Sequence, residues 1–279
     1  MTGRLVLVST PIGNLGDMAP RAVETLRACA LICCEDTRHT GKLLAHVGVR
    51  GVRLGVANEH TEAARIDEVL GLLEEGLDVA VVTDAGTPGI SDPGARLVTA
   101  AIGAGHTVTA VPGPAALVMA LVLSGFDTTR FVFEGFLPRS GRERVTRLAE
   151  VAAERRTVVL YEAPHRVART VTDLGAACGE ERRVALTREL TKLYEEVWRG
   201  TLGDALIHLA THEPRGEFVV VLEGAPAPAP ADDEAILHAL RTTLAAGADR
   251  RTAIATVVSA TGASKRHVYD LALGIPRDE

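Results

Sequence analysis

The sequence predicts an α/β protein made of two α/β domains, followed by a small helical domain at the carboxyl terminus. Short runs of Val, Leu, Ile and Ala alternate with segments of helical periodicity, an order typical of parallel sheets covered by helices. Aromatic residues account for only 3% of the chain, so aliphatic side chains must fill the cores. A chain of 279 residues with 47% hydrophobic content is long enough for two or three globular units.

The first predicted domain spans residues 1–113. A helix is expected to begin near Pro20, because proline suits the first turn of a helix. Another is expected from about Glu62 to Glu75, because its apolar residues recur at helical spacing and Gly76 follows. Five apolar, β-branched segments predict the strands, namely residues 5–8, 30–34, 52–56, 79–82 and 108–111.

The second predicted domain spans residues 114–224. The gap between Thr187 and Glu195 is too short for a helix and favours a hairpin turn, whereas a helix fits near residues 203–210. A mixed sheet is therefore expected. Its predicted strands are residues 131–136, 158–161, 184–187, 195–198 and 218–222.

Residues 225–231 alternate alanine and proline, which forbids a helix and indicates a stiff linker. Residues 232–279 then contain three helical segments, each preceded by an aspartate or serine that can cap it. The short, glycine-containing connection at residues 260–263 predicts a helix-turn-helix-like module.

The charge and apolar patterns exclude several classes of protein. A net charge of −6 argues against a protein that coats nucleic acid with its whole surface. No apolar run approaches the ~18 residues of a membrane span, and no signal-peptide pattern begins the chain, so we expect a cytoplasmic protein without membrane contact. The four cysteines lack the spacing of zinc or redox pairs and are expected to be free thiols.

A loop of small and bend-prone residues, TDAGTPGISDPG at residues 83–94, follows the predicted strand 79–82. Such a loop lets a backbone approach a ligand closely, while Asp84 and Asp92 supply carboxylates. Loops that are similarly rich in small and bend-prone residues follow three other predicted strands. Ligands of parallel sheets bind beyond the carboxyl ends of the strands, where all four loops are expected to lie. The other three loops are residues 9–14, 35–40 and 111–116.

The motifs of several ligand classes are missing from the sequence. There is no GxGxxG after the first strand, and Leu43 follows Gly41 and Lys42 where a P-loop requires Ser or Thr. No HExxH or G-x-S-x-G occurs either, so no metal site is expected. A compact nucleoside-like ligand such as S-adenosylmethionine fits the loops, although composition alone does not single it out.

Eight segments of the chain together carry a family resemblance: STPIGNLGD, ICCEDTRHTGKLL, VVTDAGTPGISDPGARLV, AVPGPAAL, FEGFLPR, YEAPHRV, ALTRELTKLYEEVWRGTL and RGEFVVVLEG. They occur in the same order in the tetrapyrrole methylase superfamily, and they most resemble its ribosomal RNA methyltransferases. The resemblance covers residues 4–224. It implies two α/β domains with an S-adenosylmethionine cleft between them, methyl transfer to the 2′-hydroxyl of a cytidine in the decoding region of 16S rRNA, and a homodimer.

Two alternatives remain open. Within the same fold, the substrate could be a tetrapyrrole precursor or the modified histidine of an elongation factor (a diphthine-type activity), but EDTRHT and TRELTKLYEE look like the ribosomal branch. Outside enzymes, the chain could be a non-catalytic RNA-binding assembly factor, which only the basic segments support.

The resemblance also implies the cofactor contacts, and the chemistry of the transfer indicates the catalytic candidates. A ribose hydroxyl is a poor nucleophile until its proton is removed, so a base is wanted. Lys192 could accept the proton if its surroundings lowered its pKa, with Glu189 orienting it; Asp36 and Arg38, beside Glu35, are the other catalytic candidates. The alternative is a solvated ion-pair cluster around Lys192. The expected cofactor contacts are Pro11, Asp84, Ala85, Gly86, Ile90, Ala115, Ala116, Tyr161 and Leu190.

Two basic segments are candidates for RNA contact, because arginine forks match phosphate geometry. The first contains Arg139 and Arg142, and the second contains Lys265 and Arg266 on the last predicted helix, with Tyr269 beside them. The alternative is that these charged helical faces are only solvated. The arginines of the first segment are Arg139, Arg142, Arg144, Arg147, Arg155 and Arg156.

Overall fold

The structure is a computed structural model that describes residues 2–58, 60–227 and 231–275. The chain divides into two compact units, Met1–Ala225 and Pro226–Glu279. The first unit contains two sheets of five strands each, and the second contains only helices. In the described residues, no helix has both the length and the apolar character that a membrane crossing requires.

The first sheet is entirely parallel, with the strand order β3-β2-β4-β1-β5. All five predicted strands are confirmed within about two residues, and the central strands β2 and β4 are buried on both faces, as their continuous apolar runs indicated. Leu5 of β1 pairs with Val79 of β4 on one side and with Val108 of β5 on the other. The strands are β1 (Arg4–Val8), β2 (Leu31–Cys34), β3 (Arg53–Val56), β4 (Val79–Val81) and β5 (Thr107–Val111).

Four helices cover the first sheet, and one of them differs from its prediction. The helix expected to begin at Glu62 begins instead at Ile66, after a single 3₁₀ turn at Ala63–Arg65. Glu62 lies outside it because its carboxylate points to another helix, as described below. The helices are α1 (Pro20–Ala28), α2 (Thr37–His46), α3 (Ile66–Glu74) and α4 (Ala95–Gly103).

The second sheet is mixed, as the sequence predicted, with the order β6-β7-β10-β8-β9. Only β6 and β7 pair in parallel, and β8 and β9 form the expected hairpin. The apolar helix α5 (Ala116–Ser124) lies between the two sheets in the chain. The other elements are β6 (Phe131–Phe136), α6 (Gly141–Ala153), β7 (Thr157–Glu162), α7 (Pro164–Cys178), β8 (Arg183–Arg188), β9 (Glu196–Thr201), α8 (Leu202–Thr211) and β10 (Phe218–Leu222).

The second unit is a three-helix module with its own core, formed by α9 (Asp233–Ala245), α10 (Arg250–Thr261) and α11 (Lys265–Leu273). The predicted caps are confirmed, because Asp232, Asp249 and Ser264 each accept a backbone N–H of the helix that follows. Gly262, with φ of 67°, makes the turn between α10 and α11. Residues 228–230 of the predicted linker and residues 276–279 of the predicted module lie outside the described residues.

Candidate active site

A cavity of about 360 Å³ lies within the first unit, at the carboxyl ends of the parallel strands. Both sheets contribute to its walls, with Asp84 and Ile90 on one side and Tyr161 and Leu190 on the other. Eight of the nine predicted cofactor contacts line it; the exception is Pro11, which is buried beside it while the neighbouring Ile12 lines the wall. The structure therefore brings together predicted contacts that lie up to 106 positions apart, from Asp84 to Leu190.

The loop at residues 83–94 is attached to the end of β1. Gly86 and Thr10 exchange two backbone hydrogen bonds, of 2.8 and 3.1 Å. Gly86 has a φ of 88°, a conformation that favours glycine. The hydroxyl of Thr87 donates to the carbonyl oxygen of Pro114 at 3.2 Å, just before α5. These bonds fix the cavity wall relative to both β1 and α5.

Tyr161 connects the aromatic side of the cavity to α5. The amide of Leu117, in the first turn of α5, donates to the Tyr161 hydroxyl at 3.2 Å. The ring packs edge-on against Phe133 and Phe136, with centroids 4.9 and 5.7 Å apart. Burial raises the pKa of Tyr161, which keeps the hydroxyl protonated and available as a donor to a ligand.

Carboxylates dominate the polar part of the cavity. Glu35 accepts a hydrogen bond from the Thr83 hydroxyl and another from the Asp84 amide at 3.2 Å. The Oδ1 atom of Asp84 is buried and has no hydrogen-bond partner among the described residues, and burial raises the pKa of this carboxyl. Burial also raises the pKa of Asp92, to about 6. This negative wall fits the ammonium and sulfonium charges of S-adenosylmethionine, and the unpartnered Asp84 oxygen is a ready acceptor for such a ligand.

Lys192 and Glu189 lie next to the cavity but do not line it. The Lys192 ammonium is 2.7 Å from a carboxylate oxygen of Glu189 and 2.7 Å from one of Glu217. Burial lowers the pKa of Lys192, but hydrogen bonds to Glu189 and Glu217 outweigh it, so the pKa is raised overall. Lys192 was expected to act as a base only if its surroundings lowered its pKa, and they raise it instead. Its partners are Glu189 and Glu217; Glu195 instead accepts the Thr191 amide at 2.6 Å.

Asp36 and Arg38 also lie outside the cavity wall. Asp36 caps α2, where its carboxylate accepts the Arg38 amide at 2.8 Å and pairs with the Arg38 guanidinium at 2.7 Å. The Arg38 hydrogen bonds hold the pKa of Asp36 well below its usual range, so Asp36 is a weak proton acceptor. The Arg38 side chain is 87% exposed.

The structure separates the predicted RNA-binding arginines into two groups. Arg139, Arg142 and Arg155 are exposed and form no ion pair within the described part of the chain. The other three are engaged: Arg144 is buried and pairs with Asp173, Arg147 pairs with Glu134 and Glu150, and Arg156 pairs with Glu154. In the second unit, Lys265 and Arg266 are exposed at the start of α11, and Tyr269 is 50% exposed.

A family comparison decides what kind of protein contains this cavity. The family model described as Tetrapyrrole (Corrin/Porphyrin) Methylases matches residues 4–206. The chain belongs to this family. Solved structures agree in fold: uroporphyrin-III-C-methyltransferase from Thermus thermophilus (22% identity, TM-score 0.56) covers 78% of this chain and 94% of its own, and the methyltransferase CobJ (20%, 0.61) covers 81% and 95%.

Relatives of higher identity extend over almost the whole chain. A Synechocystis sp. protein is 46% identical over 278 residues, covering 99% of both chains. A protein of Mycobacterium tuberculosis is 42% identical, covering 99% of this chain and 97% of its own, and one of Escherichia coli O157:H7 is 41% identical, covering 97% and 95%. Each is named Ribosomal RNA small subunit methyltransferase I. These findings confirm the predicted α/β fold class and a methyltransferase with S-adenosylmethionine as cofactor.

Several residues of the cavity wall were not among the predicted contacts. Phe136, Glu162 and Glu217 all line the cavity. Each lies inside one of the eight segments that carry the family resemblance, so a signal was present. Asp92 also lines the wall and was singled out only as a carboxylate of the loop.

Proposed function

We propose that this protein transfers a methyl group from S-adenosylmethionine to the ribose 2′-hydroxyl of a cytidine in the decoding region of 16S rRNA. The observation that carries the proposal is the 46% identity, over 99% of both chains, to a protein named Ribosomal RNA small subunit methyltransferase I. The tetrapyrrole alternative is supported by the description of the family model and by solved structures of 22% identity and below, whereas the relatives above 40% identity are named for ribosomal RNA.

The size and charge of the cavity support this assignment. About 360 Å³ is enough for one ligand of cofactor size, so the ribose must approach from the open side. Bound S-adenosylmethionine supplies an electrophilic methyl group on a positively charged sulfur. The chain's own residues hold and orient it: Asp84 and Glu35 provide negative charge, and Tyr161 provides a hydroxyl donor.

The charged groups beside the cavity are proposed to act on the acceptor side. Lys192 stays protonated between Glu189 and Glu217, so it contributes a positive charge toward RNA and does not accept the proton. Arg38 is exposed, and Asp36 fixes its guanidinium. Arg139 and Arg142 of the first unit, and Lys265 and Arg266 of the second, are proposed to contact phosphates of the rRNA.

We also propose a homodimer in the cytoplasm. The support is α5, a helix of almost entirely apolar residues whose outward side chains Val118, Met119, Val122 and Leu123 are each 37–56% exposed. Four neighbouring apolar side chains left in water on one helix are typical of a protein contact. Sedimentation equilibrium of the full chain tests the dimer.

The decisive experiment maps 2′-O-methylation of 16S rRNA by mass spectrometry in cells with and without the gene. One cytidine of the decoding region is expected to lose its ribose methyl group when the gene is absent. Purified protein should restore it on small subunits from the deleted strain, and a Gly86→Val variant should not, because valine cannot adopt the φ of 88° without strain. An unchanged methylation map, or transfer to a tetrapyrrole instead, contradicts the proposal.

A further inference from the structure

The proton acceptor can be sought among the side chains that line the cavity. In the described part of the chain, that lining contains no lysine, arginine, histidine or cysteine. The titratable groups besides Tyr161 are five carboxylates, so the acceptor, if it touches the reacting atoms, is one of them. They are Glu35, Asp84, Asp92, Glu162 and Glu217.

Three of these carboxylates already have strong partners. Glu35 holds the Thr83 hydroxyl and the Asp84 amide. Glu162 has a fully buried side chain that accepts the Thr170 hydroxyl at 2.6 Å and lies 3.2 Å from the Arg166 guanidinium. Glu217 is paired with the Lys192 ammonium, and its side chain is 75% exposed. A carboxylate whose oxygens already hold such partners has fewer lone pairs free for an incoming hydroxyl.

Asp84 and Asp92 remain, and their surroundings differ. Asp84 presents one buried oxygen without a partner, which suits a fixed hydrogen bond to the cofactor. Asp92 forms no ion pair within the described residues. The neighbouring Thr83 hydroxyl, which donates to the Glu35 carboxylate, also lies close enough to Asp92 to oppose the rise of its pKa. One hydroxyl can serve only one oxygen of the Asp92 carboxylate, so the other oxygen is left to accept a proton from an incoming donor.

The backbone around Asp92 is held by unusual constraints. Ser91 has a φ of 60°, the left-handed region that a serine seldom adopts, and Gly94 has a φ of 127°. On the far side, Glu62, which is 4% exposed, accepts the amides of Gly94 at 3.0 Å, Arg96 at 2.9 Å and Leu97 at 3.0 Å. Strain that the surroundings enforce in this way clusters at functional sites.

We propose that Asp92 is the catalytic base of the methyl transfer and that Glu62 is the residue that positions its loop. The inference rests on the proposed ribose substrate. The Asp92 carboxylate takes the hydroxyl proton while the 2′-oxygen bonds to the methyl carbon and the methyl–sulfur bond breaks, leaving its electron pair on sulfur. One negative charge on the carboxylate and one positive charge on the sulfonium disappear together, so the net charge of the site does not change.

The ionisation of Asp92 agrees with this role. Burial raises its pKa to about 6, and the charges of Glu35, Asp84 and Glu217 add to the effect against the opposing Thr83 hydroxyl. Tyr161, which faces it from β7, stays uncharged because its own pKa is raised. A base is most effective when its pKa lies near the working pH. Asp92 is thus ionised at neutral pH and still basic enough to accept a proton.

Kinetics of an Asp92→Asn variant on small subunits provide the first test. Turnover is expected to fall by about 10²–10⁴-fold, the usual loss for a general base, while calorimetric affinity for S-adenosylmethionine changes less than threefold. Wild-type turnover should fall below about pH 6, and a Glu217→Gln variant should move that limb to lower pH by removing a neighbouring negative charge. Near-normal turnover of the Asn variant, or a flat wild-type profile, overturns the assignment.

A binding measurement tests the same residue without any RNA. S-adenosylmethionine has a positively charged sulfur, and its demethylated product has a neutral sulfur, while their other charged groups are the same. The ratio of the affinity for S-adenosylmethionine to the affinity for the product therefore reports the interaction with the sulfonium charge alone. In the wild type this ratio should rise between pH 5 and 7 as Asp92 ionises near the sulfonium, and in Asp92→Asn it should stay constant. An Asp84→Asn variant is the matched control, and it is expected to weaken both ligands at every pH.

The two experiments separate failure of this inference from failure of the proposed function. If the wild type methylates no small subunit but the affinity ratio still depends on Asp92, the substrate is wrong and Asp92 is still beside the sulfonium. If Asp92→Asn weakens both ligands equally, Asp92 is a cofactor ligand and the inference is wrong.

Discussion

Three residues other than glycine have a positive φ in the part of the chain that the structure describes, and all three flank the cofactor cavity. They are Ser91 on one side, and Glu189 and Thr191 on either side of Leu190, with φ of 60°, 50° and 66°. Such conformations cost on the order of 1–3 kcal/mol each. Local bonds hold them, including the Glu189 amide on the Glu217 carbonyl at 3.0 Å and the Asn14 amide on the Thr191 hydroxyl at 3.1 Å. The backbone strain of the described residues is therefore concentrated beside the cavity where the ligand binds.

Asp92 also lowers the stability of the folded protein for the sake of the site, and this effect depends on pH. Its folded-state pKa of about 6 lies above the ordinary 3.8, so the folded protein binds this proton more tightly than the unfolded chain does. The unfolding free energy therefore falls as pH rises through the window from about 4 to about 6. Calorimetry at pH 7.5 should give Asp92→Asn a transition about 2–4 °C above wild type, because solvent screening of the partly exposed carboxylate reduces the ~3 kcal/mol that the pKa difference implies to about 1 kcal/mol. At pH 4 the two should coincide, and a variant less stable at both values contradicts the argument.

The sequence predicted the contacts of the cavity better than its ionisation. Small residues at strand ends reveal where a backbone approaches a ligand, and four of the predicted contacts that line the cavity, Ala85, Gly86, Ala115 and Ala116, are of this kind. The other four were implied by the family resemblance. A pKa depends on neighbours brought together by folding. Lys192 stays protonated, and so cannot accept a proton, because Glu217, 25 positions away, binds its ammonium. No local pattern in the sequence predicts that pair.

At the level of elements, the first amides of α4 are capped by the side chain of Glu62, which lies 32 positions before the cap residue Gly94. The helix has Gly94 at its cap position, without a capping side chain of its own, and Glu62 supplies the acceptor for three of its first amides. A capping residue is usually sought next to the helix it caps, so the sequence assigned Glu62 to the start of α3. Burial and a distant partner overrode helical spacing.

Replacement of Glu62 should therefore destabilise the first unit. Glu62→Ala leaves two buried amides and one partly buried amide without their acceptor and is expected to lower the unfolding free energy by about 2–4 kcal/mol. Glu62→Gln keeps one oxygen acceptor and should lose about 1 kcal/mol. Urea denaturation measures both, with Glu74→Ala on the exposed end of α3 as a control that stays within about 0.5 kcal/mol. Equal losses in the Ala and control variants would rule out this capping role.

The basic segment around α6 illustrates the limit of charge counting along a sequence. Six arginines indicated a basic surface, but Arg144 is a buried structural group that also donates to the Pro138 carbonyl at 2.9 Å. Arg147 and Arg156 are neutralised by glutamates. The exposed arginines that remain, Arg139 and Arg142 among them, are the ones whose charge is free for phosphate.

For the whole molecule, the chain divides into one unit that contains the cavity and another that contains only helices. Among the described residues, those that line the cavity all belong to Met1–Ala225, and the helical unit Pro226–Glu279 has an apolar core of its own. The sequence predicted this module through its caps and its alanine-proline linker, because both are local patterns. Its role depends on a partner, which no local pattern specifies.

A chain ending at Ala225 should therefore bind S-adenosylmethionine with wild-type affinity and methylate small subunits poorly. The reason is that the truncation leaves the whole cavity wall intact but removes Lys265 and Arg266, exposed on α11 beside the half-exposed Tyr269. In the full chain, a Lys265→Ala/Arg266→Ala variant should reduce the slope of log affinity for the subunit against log salt by about 1–2, because two phosphate contacts no longer release counterions. Arg241→Ala, an exposed arginine on α9, is the matched control and should leave that slope within about 0.3 of wild type. The opposite outcome is a double variant with the wild-type slope and a truncated chain with altered dimerisation or thermal stability. In that case the module is a structural element of the protein and its basic residues are only solvated.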